Sequence, residues 1–479
     1  MRTGYSVEKV RAAERELMAR LPDGALMARA AAGLAAACAG LLDRVYGARV
    51  ALIVGSGDNG GDALYAGARL ARRGAGVSAV LLAPERTHPG GLAALRAAGG
   101  RVLTTGDGTT ADGTAAVARA DLVVDGIVGI GGKGGLRPDA QALMRAATGT
   151  VVAVDLPSGI DADTGEVAGE AVRADATVTF GAYKPGLLID PAHEHAGALR
   201  LVDIGLRLPE PDIEALQHAD VAALLPRPAA ESDKYRRGVV GVVAGSSRYP
   251  GAAVLTVAGA LRGGAGAIRY VGPGSDTVIA RFPECLVSAG PPRKAGRVQA
   301  WVIGPGVGDD EAAHQAMADV LASDVPALID ADALHLLPPA EQLRAREAPT
   351  LLTPHAGEAA ALLGTSREEV ESFRLASVRA LADRYGATAL LKGSTTLVAT
   401  PSHPVRANPT GTGWLATAGS GDVLSGLTGS LLAAGLTPHN AASTAAYLHG
   451  LAARHLGPRP LTSIEVASAL TAAWRDVTG

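Results

Sequence analysis

Two series of short, nearly continuous apolar runs, each run closing on glycine or proline and followed by a helix-like stretch, constrain this chain more than any other feature. The first series is VALIVGSG (50–57), VSAVLLA (77–83), DLVVDGIVG (121–129), VVAVDLPSG (151–159), ATVTFG (176–181) and LRLVDI (199–204). Strands without polar alternation suit a sheet buried on both faces. Helical stretches such as Gly61–Arg73 and Gly90–Ala98 lie between them, so the units are βαβ and the sheet is predicted to be mostly parallel. A second series runs through GVVGVVAGS (238–246), AIRYVGP (267–273), VQAWVIGPG (298–306), VPALIDADAL (325–334), PTLLTPH (349–355) and TALLKGSTTLVAT (388–400). It ends in helical stretches near 420–433, 439–455 and 462–476. Between the series, 206–232 holds Pro209, Pro211, Pro226 and Pro228 and reads as a linker or boundary. The expected class is α/β in two domains. The length of 479 residues agrees, because single cores stop growing at about 250–300.

Composition excludes several function classes. Lys plus Arg number 44 against 47 Asp plus Glu, so no cationic excess exists to neutralise a phosphate backbone, and aromatics at 3% leave few stacking platforms. Nucleic acid is not an expected partner. The chain opens with helices, entered at Ser6 before Lys9 and Val10, and the apolar run from Ala30 to Leu42 is too short to span a bilayer. It reads as a buried helix, with no membrane role. Cys38 and Cys285, the only cysteines, are expected to be buried and unpaired, which fits a cytoplasmic protein.

In the N-terminal half, GSGDNGGDALYAGARLARRG (55–74) passes from a strand through a glycine-rich turn into a helix, a setting in which free N–H groups can hold an anion. Neither the dinucleotide fingerprint nor a Walker lysine is present. Two further strand ends carry acids followed by glycines: Asp125 before 129–135, and Asp155 with Ser158. Ligands bind at the carboxyl ends of strands in open parallel sheets, so Asp58, Asp62, Asp125 and Asp155 could share one crevice around a hard cation. The alternative is separate helix caps. Lys184 in YKPGLL reads as a surface lysine, and His193 and His195 in PAHEHAG as solvent-exposed turn residues without a third metal ligand.

Together the loop, the Asp125 strand end and VAVDLPSGIDADTG resemble the YjeF N-terminal, NAD(P)H-hydrate epimerase family over residues 1 to about 215. That resemblance implies a Rossmann-like α/β sandwich. Asp58, Asn59, Gly60, Gly61 and Asp62, together with Gly129, Ile130, Gly131, Gly132, Lys133, Gly134 and Gly135, would bind the hydrated nucleotide. Potassium would be held at Asn59, Asp125 and Ser158, and Asp155 would be the substrate-binding acid–base residue that interconverts the R and S hydrates at C6. One departure is Asp58, where the family often has Asn.

The strongest motif in the C-terminal half is NPTGTGWLATAGSGDVLSGLTG (408–429). Its GSGD opens a helix, so that helix dipole and Asp422 face one anion, and such an Asp can take a hydroxyl proton. This constellation resembles the ribokinase-like superfamily. The segments 234–266, 302–308, 330–334, 353–358 and 391–396 narrow it to the YjeF C-terminal, NAD(P)H-hydrate dehydratase family over about 220–479. The resemblance implies that Lys392, Gly393, Ser394, Thr395, Thr396 and Gly421 contact ADP or ATP, with ADP favoured. Ala253, Gly306, His355 and Asp422 would contact the hydrated dinucleotide, with Asp422 catalytic and Mg²⁺ offsetting phosphate charge. His355 taken alone reads as a core or cap residue, and Asp330 and Asp332 as either magnesium-linked or capping. The expected whole is a cytoplasmic, homo-oligomeric enzyme acting on NADHX and NADPHX. A ribokinase-type small-molecule kinase with a nucleotide-binding N-terminal module is the alternative, and a non-catalytic N-terminal binding module a third.

Overall fold

A computed structural model describes residues 1–104 and 110–479, apart from the side chain of Thr110. The chain forms two compact units, Thr3–Asp212 and Ile213–Gly479, the latter together with Met1–Arg2.

The first unit holds a seven-stranded sheet in the spatial order Arg101–Thr104, Gly76–Leu81, Arg49–Val54, Leu122–Gly126, Thr150–Val154, Ala176–Phe180, Ala198–Val202. Every neighbouring pair is parallel, as the buried apolar runs predict. Alternate side chains feed two cores. Leu52, Val54, Val124 and Val152 pack with Leu34, Leu64 and Leu95 of one helical layer. Ala51, Ile53, Val123 and Val151 pack with Val117 and Leu143 of the other. Strand order reverses between Arg49–Val54 and Leu122–Gly126, which opens a crevice at their carboxyl ends.

The second unit has a larger sheet. Its strands run Ile213–Ala215, Val405–Asn408, Thr396–Ala399, Thr388–Leu391, Thr350–Leu352, Ala327–Ile329, Ala300–Ile303, Val239–Val243, Ala267–Val271, Leu286–Ser288. The pairs are parallel except those flanking Thr396–Ala399. The run 388–400 is therefore a hairpin rather than one strand, with Leu391 opposite Leu397 and the polar Lys392–Thr395 as its turn. The helices Pro250–Arg262, Ser420–Ala433, Pro438–His455 and Ser463–Thr478 share the main core with the sheet. Glycine lets two of them touch along their backbones: a Cβ on Gly426 would sit 1.9 Å from the Thr256 carbonyl oxygen. The proline-rich stretch 206–232 is more ordered than a linker, containing the strand Ile213–Ala215 and the helix His218–Leu224.

The opening helices are Val7–Met18 and Ala25–Leu41. The second is buried on one side only, through residues such as Ala31, Leu34 and Cys38. Among the described residues no helix is long and apolar enough to cross a membrane.

Candidate functional sites

In the first unit the helix after Arg49–Val54 spans Asp58–Arg72, beginning three residues before the Gly61 expected from sequence. Asp58, Asn59, Gly60, Gly61 and Asp62 thus form its first turn, where backbone N–H groups lack intrahelical acceptors. Gly60 is required there, because a Cβ would lie 2.6 Å from the Gly55 carbonyl oxygen. Asp62 is buried, and its Oδ1 has no hydrogen-bond partner. Burial, followed by the charges of Asp155, Asp58 and Glu14, holds its carboxyl well above the usual range.

Asp155 follows the strand Thr150–Val154 with φ of 65°, a left-handed conformation uncommon for a non-glycine residue and of a kind that clusters at functional sites. Its Oδ1 accepts from Lys184 Nζ at 2.5 Å and from the Phe180 N–H at 3.3 Å, and Thr179 Oγ lies 3.0 Å away. Among the described residues Oδ2 takes no hydrogen bond. Lys184 is 1% exposed, so the expectation of a surface lysine fails. Thr179 Oγ and the Phe180 carbonyl complete its partners, at 3.0 and 3.3 Å. An ammonium is buried this deeply only when paired.

Asp125 and Ser158 form a separate fully buried unit. Ser158 donates from Oγ to Asp125 Oδ1 at 2.7 Å and from its N–H to Oδ2 at 2.8 Å. Burial pushes Asp125 up to about 6, against the opposing hydrogen bonds from Ser158 and Ile127, and no cationic side chain contributes. Asn59 approaches from the helix turn, its Oδ1 facing Gly129 and its amide nitrogen buried without a partner. The four acids therefore fall into two groups: Asp58 and Asp155 both act on Asp62, while Asp125 is tied to Ser158. Glu14, on Val7–Met18, joins the first group; it is half-buried and raised by burial, with Lys184 opposing and Asp155 adding. A glutamate among other charges on an amphipathic helix gives no sequence signal of this.

The glycine stretch borders two clefts. One, of about 230 Å³, is lined by Gly129, Gly132–Gly135, Gly55 and Ser56, with Arg86, Lys133 and Arg137 as its cations. The other, of about 450 Å³, takes Ile130, Gly131, Gly132 and Lys133 together with Arg11 and Arg15. Asp58, Asp62 and Asp155 line neither. His193 and His195 are half-buried on the short helix His193–Ala196, not solvent-exposed, because their Nδ1 atoms bond the Leu187 and Val172 carbonyls at 2.8 and 3.1 Å. Among the described residues no group of three or more His, Cys, Asp or Glu side chains is arranged to hold a metal.

In the second unit, Asp422 sits in the first turn of Ser420–Ala433, entered through Gly419 at φ of 83°. Lys392 Nζ lies 2.7 Å from Asp330 Oδ1 and 3.7 Å from Glu358 Oε2, while Ser425 Oγ donates to Asp330 Oδ2 at 2.6 Å. The Lys392 ammonium also lies 3.5 Å from where a Gly421 side chain would begin, so these two residues meet. Burial pushes Asp422 up to about 7; Asp330 adds to this, Lys392 opposes it, and Asp332 and Glu358 add further. Burial penalises the Lys392 ammonium too, but Asp330, Glu358 and Asp422 outweigh that and raise it.

Gly393 and Ser394 are exposed at the hairpin tip, whereas Thr395 and Thr396 are buried. The Arg374 guanidinium supports this turn from below, reaching the Lys392 and Thr395 carbonyls at 3.2 and 3.0 Å. His355 is exposed and caps Ala356–Leu363, its Nδ1 accepting from the Gly357 and Glu358 N–H groups while Glu358 caps back. Ala253 is wholly buried beside Gly245, and Gly306 takes φ of 66° against Tyr249 and Ala252. Asp330 is a buried partner of Lys392 rather than a cap, and Asp332 accepts from the Gly308 N–H at 2.9 Å. Glu358 was not singled out from sequence; its position in TPHAGE, three residues after a capping His, was the available signal.

Comparison with known proteins agrees with both halves. The family described as NAD(P)H-hydrate dehydratase matches residues 240–472, and that described as YjeF-related protein N-terminus matches residues 23–186. The chain is 50% identical over 461 residues to the bifunctional NAD(P)H-hydrate repair enzyme Nnr of Mycobacterium leprae, covering 95% of this chain and 94% of that one. The ADP/ATP-dependent NAD(P)H-hydrate dehydratase from Bacillus subtilis, co-crystallised with ATP/Mg²⁺, is 31% identical with a TM-score of 0.50, over 55% of this chain and 97% of that one. A ribokinase-like superfamily protein from Enterococcus faecalis has a TM-score of 0.50 at 23% identity, over 57% of this chain and 98% of that one, and so shares the fold.

Proposed function

This chain belongs to the bifunctional NAD(P)H-hydrate repair enzymes, and from that premise we propose how its residues divide the work. Hydrated NADH and NADPH are its substrates. The unit Thr3–Asp212 epimerises the R and S hydrates, and the ribokinase-like unit beginning at Ile213 dehydrates the S form with ADP or ATP. The observation that carries the reading is Asp422, placed in a helix N-terminal turn beside Lys392, Asp330 and Glu358.

In the dehydratase, the free N–H groups of the 419–421 turn receive phosphate oxygens, and Lys392 with the exposed Gly393–Ser394 tip approaches the nucleotide. Asp422 takes the C6 hydroxyl proton as the phosphoryl group is transferred to that oxygen; phosphate then leaves C6 with the C–O electron pair, C5 gives up a proton to solvent, and the C5–H pair becomes the C5=C6 double bond. His355, Gly306 and the Ala253 turn flank the dinucleotide. Asp330, Asp332 and Glu358 all add negative charge around Asp422, with Lys392 opposing it, a surplus that suits a divalent cation such as Mg²⁺ carried in on nucleotide phosphates. When bound, Mg²⁺ would supply charge that neutralises the phosphate oxygens.

In the epimerase, Asp155 is the acid–base residue and Lys184 positions it. Asn59, Asp125 and Ser158 fit potassium. They supply amide, carboxylate and hydroxyl oxygens, and no cationic side chain offsets the buried carboxylate. Potassium, when bound, would supply the positive charge that the buried Asp125 carboxylate lacks. We place the enzyme in the cytoplasm, where Cys38 and Cys285, buried and free, stay reduced, and we expect a homo-oligomer.

Purified protein given mixed R- and S-NADPHX with ADP should recover all of the reduced-nicotinamide absorbance; a stable phosphorylated alcohol instead would mark a small-molecule kinase. Substituting choline for potassium should slow epimerisation and spare dehydration, and chelating Mg²⁺ should do the reverse. Because Asp422 works as a base and stands at about 7, kcat/KM for dehydration should fall tenfold per pH unit below about 7 and level off above it. Lys392→Met removes the charge that lowers Asp422 and should move this limb to higher pH. A limb that stays near the ordinary carboxylate range in both proteins would contradict the base assignment.

A further inference from the structure

The sheet of the first unit divides where its strand order reverses. Arg101–Thr104, Gly76–Leu81 and Arg49–Val54 lie on one side, and Leu122–Gly126, Thr150–Val154 and Ala176–Phe180 on the other. A doubly wound sheet in this order holds a dinucleotide across the reversal, one mononucleotide over each half. Asp155 follows Thr150–Val154, so the reacting nicotinamide belongs over the second half. The adenosine then falls over the first, where the end of Gly76–Leu81 lies three strand spacings, about 14 Å, along the sheet.

The cleft of about 230 Å³ occupies this place. Gly55 and Ser56 reach it after Arg49–Val54, Leu82, Ala83 and Arg86 after Gly76–Leu81, and residues of 129–137 after Leu122–Gly126. It therefore crosses the reversal, with glycine-rich turns on both sides. Such turns can hold a pyrophosphate through backbone N–H groups, and hydrated NADH and NADPH both carry one. The cleft offers more than that. Three cations, Arg86, Lys133 and Arg137, line it against one carboxylate, Asp139, whose Oδ1 already accepts from the Ala140 N–H at 2.8 Å. All three are exposed, and among the described residues their side chains have no hydrogen-bond or ion-pair partner. Arg49, Arg101 and Arg145, exposed arginines of the same unit, each meet a carboxylate. An acid in the strand-end region after a glycine turn reads a bare ribose 2′-hydroxyl, and an arginine there accommodates a 2′-phosphate. The acid beside Arg86 in sequence, Glu85, does not line the cleft.

We propose that Arg86 reads the 2′-phosphate that distinguishes hydrated NADPH from hydrated NADH, with Lys133 and Arg137 adding charge from the glycine stretch, so that the epimerase favours NADPHX. The inference rests on the epimerase reading above. A phosphate monoester is close to dianionic at neutral pH, which matches the surplus of cations over Asp139, and an arginine can donate to two of its oxygens at once. No bond is made or broken at this group. Its effect belongs to binding, and hence to KM.

The test gives full-length protein R-NADPHX or R-NADHX without nucleotide and follows the S epimer by chromatography, with uncatalysed inversion subtracted. The wild type should show the lower KM for NADPHX. Arg86→Gln should raise that KM by about 10- to 100-fold, keep kcat within a few-fold, and leave both constants for NADHX near wild type. Arg86→Lys should retain part of the preference, because it keeps the charge without the paired donors. Since Arg86 is exposed and unpaired, neither substitution should lower the melting temperature. Equal losses on the two hydrates would put Arg86 at the shared pyrophosphate and overturn the proposal. Equal KM values in the wild type, or no loss on either hydrate in Arg86→Gln, would also overturn it. So would a loss confined to NADPHX in Arg11→Gln but absent in Arg86→Gln, which would move the 2′-phosphate to the cleft of about 450 Å³. If the wild type inverts neither hydrate while dehydration continues, the epimerase reading fails and takes the proposal with it.

Discussion

Asp422→Asn stops dehydration, with kcat for the S hydrate expected to fall by about 10²–10⁴-fold, while R and S hydrates continue to interconvert at the wild-type rate. Asparagine preserves size and can still bond the hydroxyl, but it cannot accept a proton at neutral pH. Stability should not suffer. Asp422 stands among Asp330, Asp332 and Glu358 with Lys392 as the opposing charge, so removing its charge relieves repulsion in the folded state. Absorbance of the reduced nicotinamide and a thermal melt on the same sample separate the two effects. Dehydration above a tenth of the wild-type rate would remove Asp422 from the reaction; loss of both activities in folded protein would end the division of labour.

Lys184→Met has the second large effect, and on a different quantity. The substitution strands Asp155, 8% exposed, without its buried ammonium partner, and breaking such a pair from one side costs about 3–5 kcal/mol. At about 2–4 °C per kcal/mol for a unit of this size, melting of the N-terminal unit should drop by roughly 10 °C, with epimerisation lost and dehydration kept. Pairing it with Asp155→Asn removes both charges and should restore much of the melting temperature but none of the epimerisation. If Lys184→Met leaves the melting temperature unchanged, the ion pair is not holding the strand end in place.

Burial on both faces is what made the strands legible. Val50 to Val54 and Val239 to Val243 are buried along their whole length, and such runs announce themselves. Arg101–Thr104 and Leu286–Ser288 lie at sheet edges with mixed exposure, and Val405–Asn408 carries a half-buried arginine, so none rises above its surroundings in sequence. The hairpin at 388–400 hid because Lys392–Thr395 interrupts two β-forming runs without an Asn-Gly signal. Glycine-rich turns and strand-end acids were readable because their chemistry is local. Lys184 was not: its burial depends on an aspartate 29 positions away. Glu14 and Glu358 owe their influence in the same way to neighbours brought by the fold.

The helix that carries Asp422 is buried at every residue from Val423 to Ala433, and its backbone rests on that of Pro250–Arg262 through Gly426. Opening it would mean opening the core, so its slowest motions should be those of global unfolding. Asp422, which we propose as the proton acceptor, is thus part of the rigid frame. The exposed Gly393–Ser394 tip and the Gly413–Leu415 turn with its exposed Trp414 carry no such constraint and are where local motion costs least. A substitution behind Asp422 should therefore register as lost global stability, and one in those turns should leave the melting temperature in place.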